Sequence, residues 1–474
     1  MGKIWLPRDY QRALRDAALD TPRYQWWAGT GTGKTSTWLS VMDTLLTFDE
    51  VRHVLVVSTY NIATIVWPQE LQKWESFSHL TMAVAVGTPA QRIAALKRKA
   101  QITCINFDNL PWLVDALGDE WFFDMVVADE ATRLKSLRID IRKSTLGKVF
   151  NRQSGGSGRA YKVAKVAHKR VRRWINGTGT PLPNGLVDLW GQAWFIDAGQ
   201  RLGRTFSAYK ERYFNSIRID TYETILRPTE FAEEQIKGKL ADVTLTIDAA
   251  DYMDLPPIQY NHIPIPLPAQ AWQHYREMEK EYFTLVQDHD IEAVNSGSKS
   301  MKLRQLASGA AYHDDQANFV ETYSDKLDRC EDILNELNGA SLIVAYQFKS
   351  DLARLQKRFP KARVFNAANK DAFQRGELQM LLVHPASAGH GIDGLQDVCH
   401  HMVVFSQTWN LEEFIQVIER IGPVRQVSAG FWRTTFVHLL IGENTIEEDM
   451  VDRIQSKDSV QTAVKAAMKK RGLK

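Results

Sequence analysis

Short apolar runs that end in small or polar residues recur in two separate regions of the chain, with helical-period segments between most of them. Such runs, alternating with amphipathic helices, are typical of parallel strands covered by helices on both faces. The first region contains YQWWAG (24–29), HVLVVST (53–59), ITCINF (102–107), DMVVADE (124–130) and RRWINGTG (172–179). The second contains ASLIVAYQF (340–348), ARVFNA (362–367), QMLLVHP (379–385), HHMVVFS (400–406) and TTFVHLLI (434–441). The pattern predicts two α/β domains.

The region between these domains has a longer and mostly helical pattern. We place the first domain at residues 1–190, helical insertions and a connector at 191–322, and the second domain at 323–474. The connector includes MDLPPIQYNHIPIPLP (253–268), whose prolines favour an extended conformation. Two glycine- and serine-rich stretches, at 151–160 and 295–300, predict loops.

Length and composition indicate a globular protein with more than one core. The chain has 474 residues, of which 44% are hydrophobic and 24% charged, and no apolar run approaches the roughly 18 residues of a membrane helix. No signal-peptide hydrophobic segment opens the sequence, so we expect a cytoplasmic protein. Three distant cysteines predict reduced thiols rather than disulfides or a zinc site, and the 14 tryptophans are best explained as core residues.

The segment WAGTGTGKTS (27–36) follows an apolar strand and precedes a helix-compatible run. Its glycines let backbone N–H groups surround phosphates at a helix N-terminus. Lys34 is predicted to reach the β- and γ-phosphates and the Thr35 hydroxyl to bind Mg²⁺. The strict pattern has glycine where this chain has Ala28. The predicted nucleotide-binding residues here are Gly29, Thr30, Gly31, Thr32, Gly33, Lys34 and Thr35.

Two adjacent carboxylates, Asp129 and Glu130, end the strand in MVVADEATRLKS (125–136). On a surface loop such a pair is ordinary and solvated. At the end of a strand in a domain that also has a phosphate loop, it belongs to the second half of a nucleotide site. Asp129 is predicted to hold Mg²⁺ and Glu130 to orient and deprotonate the attacking water. The predicted cofactors are therefore ATP and Mg²⁺.

Taken in order, these motifs resemble those of superfamily-two helicases, and specifically the Swi/Snf-type DNA-translocating ATPases in a compact bacteriophage form. The resemblance covers nearly the whole chain and implies two RecA-like parallel-sheet domains in tandem with helical insertions between them. In the first region it is carried by LPRDYQ (6–11), AGTGTGKT (28–35), VVSTYNIATIVWPQELQKW (56–74), DEATRLKS (129–136) and NGTGTPLPNGLVDLW (176–190). In the second it is carried by SLIVAYQF (341–348), HPASAGHGIDGLQ (384–396) and TWNLEEFIQVIERIGPVRQ (408–426).

The resemblance also implies roles for individual residues. Gln11 is expected to read the adenine edge, and Gly391 to lie beside the nucleotide. Arg420 stands where the first of two arginines directed at the γ-phosphate is expected. Pro423 stands at the second position, so Arg425 is the nearest arginine that could act there, on a backbone that must differ locally. The residues implied to contact DNA are Ser58, Thr59, Asn106, Arg133, Lys135, Thr178, Gln347, Ser387 and His390.

Charge distribution bears on the nucleic-acid partner. The span 138–173 is crowded with Lys and Arg, and Asp140 is its only acid. Such a strip suits phosphate contacts that do not read sequence, although a solvated face is the alternative. Four histidines, at 384, 390, 400 and 401, lack a carboxylate or cysteine at ligand spacing, so structural or DNA-proximal roles are favoured over a metal.

Together these features predict a DNA-stimulated ATPase that moves as a monomer on duplex or branched DNA, independently of sequence, in replication, recombination or repair. A conventional strand-separating helicase remains an alternative within the same class. From other classes, a non-catalytic ATP-gated DNA clamp that recruits a partner remains open, and so does a subunit of a nuclease or packaging machine.

Overall fold

The computed structural model describes residues 3–29, 31–143, 149–182, 185–218, 224–247, 249–288, 298–312, 318–388 and 394–456. The chain divides into two units, Met1–Met253 and Asp254–Lys474. Each unit contains one large parallel sheet, so the predicted α/β class with two parallel-sheet domains in tandem is confirmed. None of the helices within these ranges combines the length and the apolar character needed to cross a membrane.

The first unit is a seven-stranded parallel sheet in the order β11-β1-β8-β5-β2-β4-β3, with helices between the strands. Its elements are α1 (Asp9–Asp20), β1 (Arg23–Ala28), α2 (Lys34–Thr47), β2 (Val54–Ser58), α3 (Trp67–Lys73), β3 (Met82–Val84), α4 (Pro89–Lys97), β4 (Ile102–Asn106), α5 (Leu110–Leu117), β5 (Met125–Asp129), β6 (Leu137–Lys143), β7 (Val149–Gly156), α6 (Gly158–Ala167), β8 (Arg173–Thr178), α7 (Leu189–Asp197), α8 (Phe206–Tyr213), β9 (Phe214–Arg218), β10 (Thr224–Pro228), α9 (Ala232–Leu240) and β11 (Thr244–Ile247). All five apolar runs predicted for this region are strands of the sheet. Every residue of β2, β4 and β5 is buried, as expected for strands covered on both faces.

The second unit has a six-stranded parallel sheet in the order β12-β19-β18-β15-β17-β16. Its elements are β12 (Ile258–Ile265), α10 (Ala269–Asp288), α11 (Ser298–Ser308), β13 (Ala310–Tyr312), β14 (Phe319–Glu321), α12 (Asp325–Glu336), β15 (Leu342–Ala345), α13 (Lys349–Arg358), β16 (Arg363–Val364), α14 (Ala367–Gln374), β17 (Met380–Val383), α15 (Pro385–Ala388), β18 (His401–Val404), α16 (Leu411–Ile418), α17 (Pro423–Ser428), β19 (Thr435–Gly442) and α18 (Ile446–Ser456). The five apolar runs predicted for the second region are again strands of the sheet.

Residues 191–322 contribute one edge strand to each sheet. β11 pairs with β1 in the first unit, and β12 pairs with β19 over eight residues in the second. The stretch 253–268, predicted as an extended connector, therefore contains a strand. Pro264 lacks an N–H group, and an edge strand tolerates this because one side has no neighbour to bond.

Two antiparallel hairpins interrupt the first unit. β6 and β7 pair directly after the acidic pair, and β9 pairs with β10. The predicted loop at 151–160 is wrong, because these residues complete β7 and begin α6. Of the second predicted loop, 298–300 begin α11, and 295–297 lie outside the described residues.

The three cysteines are buried and free, as predicted. Burial raises the pKa of the Cys330 and Cys399 thiols to about 12 and raises that of Cys104 as well. These thiols therefore remain protonated and unreactive at neutral pH.

A buried ion pair joins α12 to α18 in the second unit. Lys326 Nζ lies 2.6 Å from Glu447 Oε2, and the two side chains are 0% and 2% exposed. Lys326 Nζ also donates to Phe405 O at 3.1 Å, and Glu447 Oε2 accepts from Gly442 N at 2.8 Å. Because both charges are fully partnered, removal of either would leave the other buried without compensation.

We expect Lys326→Met to lower the free energy of unfolding of the second unit by about 3–5 kcal/mol, measured by urea denaturation. Lys349→Met, at an exposed position of α13, is the matched control and should change this free energy by less than about 0.5 kcal/mol. The Lys326→Met/Glu447→Leu double variant should recover most of the loss. Equal stability of the Lys326→Met and control variants would contradict a strongly coupled buried pair.

Candidate nucleotide site of the first unit

The loop between β1 and α2 has the backbone of a phosphate-binding turn. Gly31 and Gly33 have φ values of 77° and 74°, in the left-handed region that favours glycine. Gly33 is the residue before α2, so the helix begins at Lys34 and its first N–H groups border the loop. A helix N-terminus that follows a glycine-containing turn is suited to bind anions. Thr30, also predicted to bind the nucleotide, lies outside the described residues.

Lys34 closes this loop. Its Nζ donates to Ala28 O at 2.8 Å and to Gly29 O at 3.0 Å. The Thr32 hydroxyl donates to Gly29 O at 2.8 Å, which adds a second contact across the turn. Thr35, on the first turn of α2, is half-buried beside Lys34. The loop is therefore held in shape by its own side chains.

Gln11 of α1 supports the loop from the outside. Its Nε2 donates to Thr32 O at 3.1 Å, and its Oε1 accepts from Arg8 N at 2.9 Å. A Cβ atom placed on Gly33 would lie 2.4 Å from Gln11 Nε2, so the amide packs directly against the turn. Each atom of an amide can form one further hydrogen bond, and recognition of adenine by Gln11 stays a prediction.

Asp129 and Glu130 differ sharply in their surroundings. Asp129 ends β5 and is 4% exposed, and its Oδ2 accepts from Trp67 Nε1 at 3.1 Å and from Ser58 Oγ at 3.4 Å. Glu130 has a φ of 72°, and its N–H donates to Gly177 O of β8 at 2.9 Å. The left-handed conformation costs a residue with a side chain about 1–2 kcal/mol. The chain leaves the sheet at this strained residue.

The electrostatics connect the acidic pair to the phosphate loop. Burial raises the pKa of the Asp129 carboxyl. The Lys34 ammonium opposes this rise most strongly, followed by hydrogen bonds from Trp67 and Ser58. Lys34 and Asp129 therefore interact, which brings both predicted halves of the nucleotide site together at one edge of the sheet. A hydroxyl and a carboxylate beside a phosphate-binding turn are ligands that suit Mg²⁺.

Three residues predicted to contact DNA are buried inside the first unit. Ser58 and Thr178 are 0% exposed, and Asn106 is 7% exposed. The Ser58 hydroxyl bonds to Asp129, and Thr178 Oγ1 accepts from Thr180 N at 3.1 Å. These three side chains are buried in this structure, and their contact with DNA stays a prediction.

The remaining predicted DNA contacts lie in several places. Arg133 is exposed and Thr59 is half-buried, whereas Lys135 Nζ is 3.5 Å from Asp188 Oδ2. Gln347 follows β15 and is half-buried. Ser387 lies on α15, but its side chain is not among those that the structure describes. His390, and Gly391, which is predicted to lie beside the nucleotide, are outside the described residues.

Much of the basic strip is neutralised by acids that lie outside it in sequence. Its ion pairs are Arg159–Asp108, Lys162–Asp115, Arg170–Asp119, Arg172–Asp124 and Arg173–Glu50. Five of the seven Lys and Arg residues between 159 and 173 are therefore ion-paired. The earlier part of the strip, on the β6–β7 hairpin, stays a candidate for phosphate contacts.

A buried cluster of hydrogen bonds around Asp351, in the second unit, was not evident from the sequence. Asp351 is 0% exposed, and its oxygens accept from Ser308 Oγ at 2.8 Å, Ser406 Oγ at 2.7 Å and Phe348 N at 3.0 Å. Gln347 N donates to Ser406 Oγ at 2.9 Å. These hydrogen bonds therefore hold the loop that carries Gln347. An acid at the third position of a helix, Asp351 in the helix that begins at Lys349, was the available signal.

The two arginine candidates lie on either side of a helix break. Arg420 follows α16 and is 8% exposed, whereas Arg425 lies within α17. Pro423 is the first residue of α17, where its missing N–H is not needed. The helix break at Gly422 and Pro423 separates the two arginines. That this backbone lets Arg425 act as the second arginine, and the roles of both arginines, stay predictions.

The histidines pack against structural neighbours. His384 Nε2 is 3.2 Å from Gln347 O, and the His401 ring stacks on Phe436 with centroids 4.9 Å apart. Burial and the neighbouring His400 and His438 lower the pKa of His401 to about 4. Across the described ranges, no group of three or more His, Cys, Asp or Glu residues is arranged to hold a metal ion.

Fold and site together define a two-unit α/β protein with a phosphate-binding turn and a buried acidic strand end. The chain is 42% identical over 474 residues to "Putative protein p41" of Acyrthosiphon pisum secondary endosymbiont phage 1, covering 99% of this chain and 100% of that protein. The chain therefore belongs to the same protein family as this phage protein.

Two other comparisons complete this description. No protein-family model matches the chain. Two solved structures, of the Sulfolobus solfataricus SWI2/SNF2 ATPase core in complex with dsDNA and of the same core domain, are similar over 96% of this chain and 92% and 89% of theirs. Their sequence identities are 19% and 20%, with TM-scores of 0.44 and 0.43.

We expect Gly33→Ala to weaken ADP binding at least about tenfold, because its left-handed φ costs about 1–2 kcal/mol with a side chain and the new Cβ would displace Gln11. Isothermal titration calorimetry with ADP measures this. Gly158→Ala, where a Cβ meets no atom within 4 Å, is the matched control and should bind ADP normally. Unchanged affinity of Gly33→Ala would show that the turn does not hold the phosphates.

Proposed function

We propose that this protein is a Mg²⁺-dependent ATPase of helicase superfamily two that moves along duplex or branched DNA without reading sequence. It would remodel DNA structures or displace bound proteins in replication, recombination or repair, acting as a monomer in the host cytoplasm. One observation supports this above all: the phosphate-binding turn and the buried Asp129 lie at one edge of the sheet, because β1, β8 and β5 are adjacent parallel strands in which Trp27 is opposite Thr178 and Asp129 is opposite Gly177.

Each residue of the site has a role in this proposal. The N–H groups at the start of α2 bind the ATP phosphates, and Lys34 exchanges its bonds to Ala28 O and Gly29 O for phosphate oxygens. Thr35 and Asp129 would hold Mg²⁺, which would supply positive charge beside the phosphates. Glu130 accepts the proton of the attacking water.

Arg420 and Arg425 are proposed to contribute positive charge to the transition state. Arginines in this role accelerate hydrolysis by about 10³–10⁵-fold in related NTPases. Arg420 is buried and lies just before the helix break at Gly422 and Pro423. Arg425 follows on the next short helix and is the secondary candidate.

The β6–β7 hairpin is the proposed DNA-binding element of the first unit. It follows the acidic pair directly, and Asp140 faces Arg152 in its register. The hairpin strands carry Arg138, Arg142, Lys143 and Arg152, and Asp140 is their single acid. Five of the basic residues that follow the hairpin, Arg159, Lys162, Arg170, Arg172 and Arg173, form ion pairs with acids, which favours the hairpin over the following segment as the proposed contact.

We expect Glu130→Gln to reduce ATP turnover by about 10²–10⁴-fold, because general base catalysis contributes this much, while ATP binding is retained. Steady-state phosphate release and equilibrium binding of ATP measure the two quantities. Glu120→Gln, at an exposed position of the same unit, is the control and should keep full turnover. Normal turnover in Glu130→Gln would mean that another group activates the water.

We expect the triple variant Arg142→Ala/Lys143→Ala/Arg152→Ala to bind duplex DNA more weakly and with a shallower dependence on salt. Each lost phosphate contact should reduce the slope of log K against log[salt] by about 0.9. Fluorescence anisotropy at several salt concentrations measures it. The control Arg159→Ala/Lys162→Ala/Arg170→Ala removes the same charge from ion-paired positions and should leave the slope unchanged. Equal effects of both variants would reject the hairpin as the contact.

A further inference from the structure

The nearest hydrogen-bond donor to the buried carboxylate comes from an unexpected residue. Trp67 begins α3, is 0% exposed, and donates from Nε1 to Asp129 Oδ2 at 3.1 Å across 62 residues of sequence. The second donor, Ser58 Oγ, is farther away, at 3.4 Å. Both hydrogen bonds fall on Oδ2 of the carboxylate.

The indole is chemically suited to fix a carboxylate. An indole N–H can only donate, whereas the Ser58 hydroxyl can donate or accept. Trp67 therefore bonds to Asp129 only when Oδ2 serves as an acceptor. This bond specifies which oxygen is occupied and leaves Oδ1 as the oxygen for another ligand.

Trp67 is itself held in a stack of three buried tryptophans. Trp26 of β1 and Trp38 of α2 have ring centroids 5.2 Å apart and planes at 3°, and Trp38 and Trp67 are 5.9 Å apart at 14°. All three are 0% exposed. Gly177 of β8 makes room, since a Cβ there would lie 2.1 Å from the Trp38 ring. The stack links Trp67 to the helix that begins with Lys34.

A local change of helix type sets the direction of Trp67. Residues Ile62–Val66 form a π-helix, and the Trp67 N–H donates to Ile62 O. This i to i+5 bond adds one residue to the turn, which rotates the following residues by about 100° relative to an α-helix. π-helical turns occur frequently at functional sites.

We propose that Trp67 is a positioning residue for metal-dependent nucleotide binding: it holds Asp129 by Oδ2 so that Oδ1 is presented to hydrated Mg²⁺. This role rests on the function proposed above. The tryptophan stack holds Trp67, and through it the Asp129 carboxylate, at a fixed position relative to the phosphate-binding turn. A purely structural role, in which Trp67 only satisfies a buried carboxylate, makes different predictions.

The test compares ADP affinity in the presence of Mg²⁺ and in EDTA for the full-length protein. Trp67→Phe keeps an aromatic ring in the stack and removes the N–H. We expect its affinity for ADP in EDTA to stay within about twofold of wild type, while the gain in affinity from Mg²⁺ falls by at least about tenfold, as for a lost hydrogen bond to a charged group.

Trp174→Phe is the matched control. Trp174 is also buried in the same sheet, donates from Nε1 to Asn176 Oδ1 at 2.8 Å and stacks on Phe195 with centroids 4.8 Å apart. It should lose thermal stability to a similar degree as Trp67→Phe and keep the full Mg²⁺ gain. If the increase in ADP affinity caused by Mg²⁺ fell equally in Trp174→Phe and Trp67→Phe, the assignment to Trp67 would be overturned.

A spectroscopic readout separates positioning from packing without mutating the site in the measured protein. In protein labelled with 5-fluorotryptophan, the ¹⁹F resonance absent from Trp67→Phe belongs to Trp67. We expect it to shift on addition of ADP with Mg²⁺ and to stay in place with ADP in EDTA, while the Trp174 resonance is unaffected. A Trp67 resonance indifferent to Mg²⁺, with ADP bound, would overturn the inference. Failure of wild type to bind ADP at all would instead overturn the proposed function.

Discussion

The structure of the site depends on one topological constraint: parallel strands joined by helical crossovers end at the same edge of their sheet. In the first unit β1, β8 and β5 are consecutive neighbours, with Trp27 opposite Thr178 and Asp129 opposite Gly177. The loops that follow these strands must therefore lie close together. In sequence, the loop after β1 is about 100 residues from the loop after β5 and about 150 residues from the loop after β8. The phosphate turn and the acidic pair become one site for this reason.

The same constraint buries a carboxylate, and a buried charge is costly unless it is partnered. Asp129 is compensated by the Lys34 ammonium and by donors from β2 and α3. Lys34 in turn is held by the carbonyl groups of Ala28 and Gly29. The elements around the site are thus coupled by electrostatics as well as by packing. Trp67 takes part in both, because it donates to Asp129 and stacks on Trp38.

Local features could be predicted from the sequence because their signals are local. Ten apolar runs predicted strands that belong to the two sheets, and the turn at 27–36 and the pair at 129–130 were placed correctly at strand ends. Long-range pairing was not visible: β12 is a polar, proline-containing edge strand, and the Trp67–Asp129 bond spans 62 residues. The burial of Ser58 and Thr178 was not visible either, because a motif does not reveal which way a residue at a strand end points.

Coupling of ATP turnover to duplex DNA is the central claim, and steady-state ATP hydrolysis tests it most directly. The rate should be measured without nucleic acid, then with single-stranded DNA, duplex DNA, a four-way junction and RNA, each at two salt concentrations. We expect strong stimulation by duplex or junction DNA that declines at the higher salt as phosphate contacts weaken. A preference for single strands would instead indicate a conventional helicase, and hydrolysis indifferent to every nucleic acid, or stimulated best by RNA, would contradict the account.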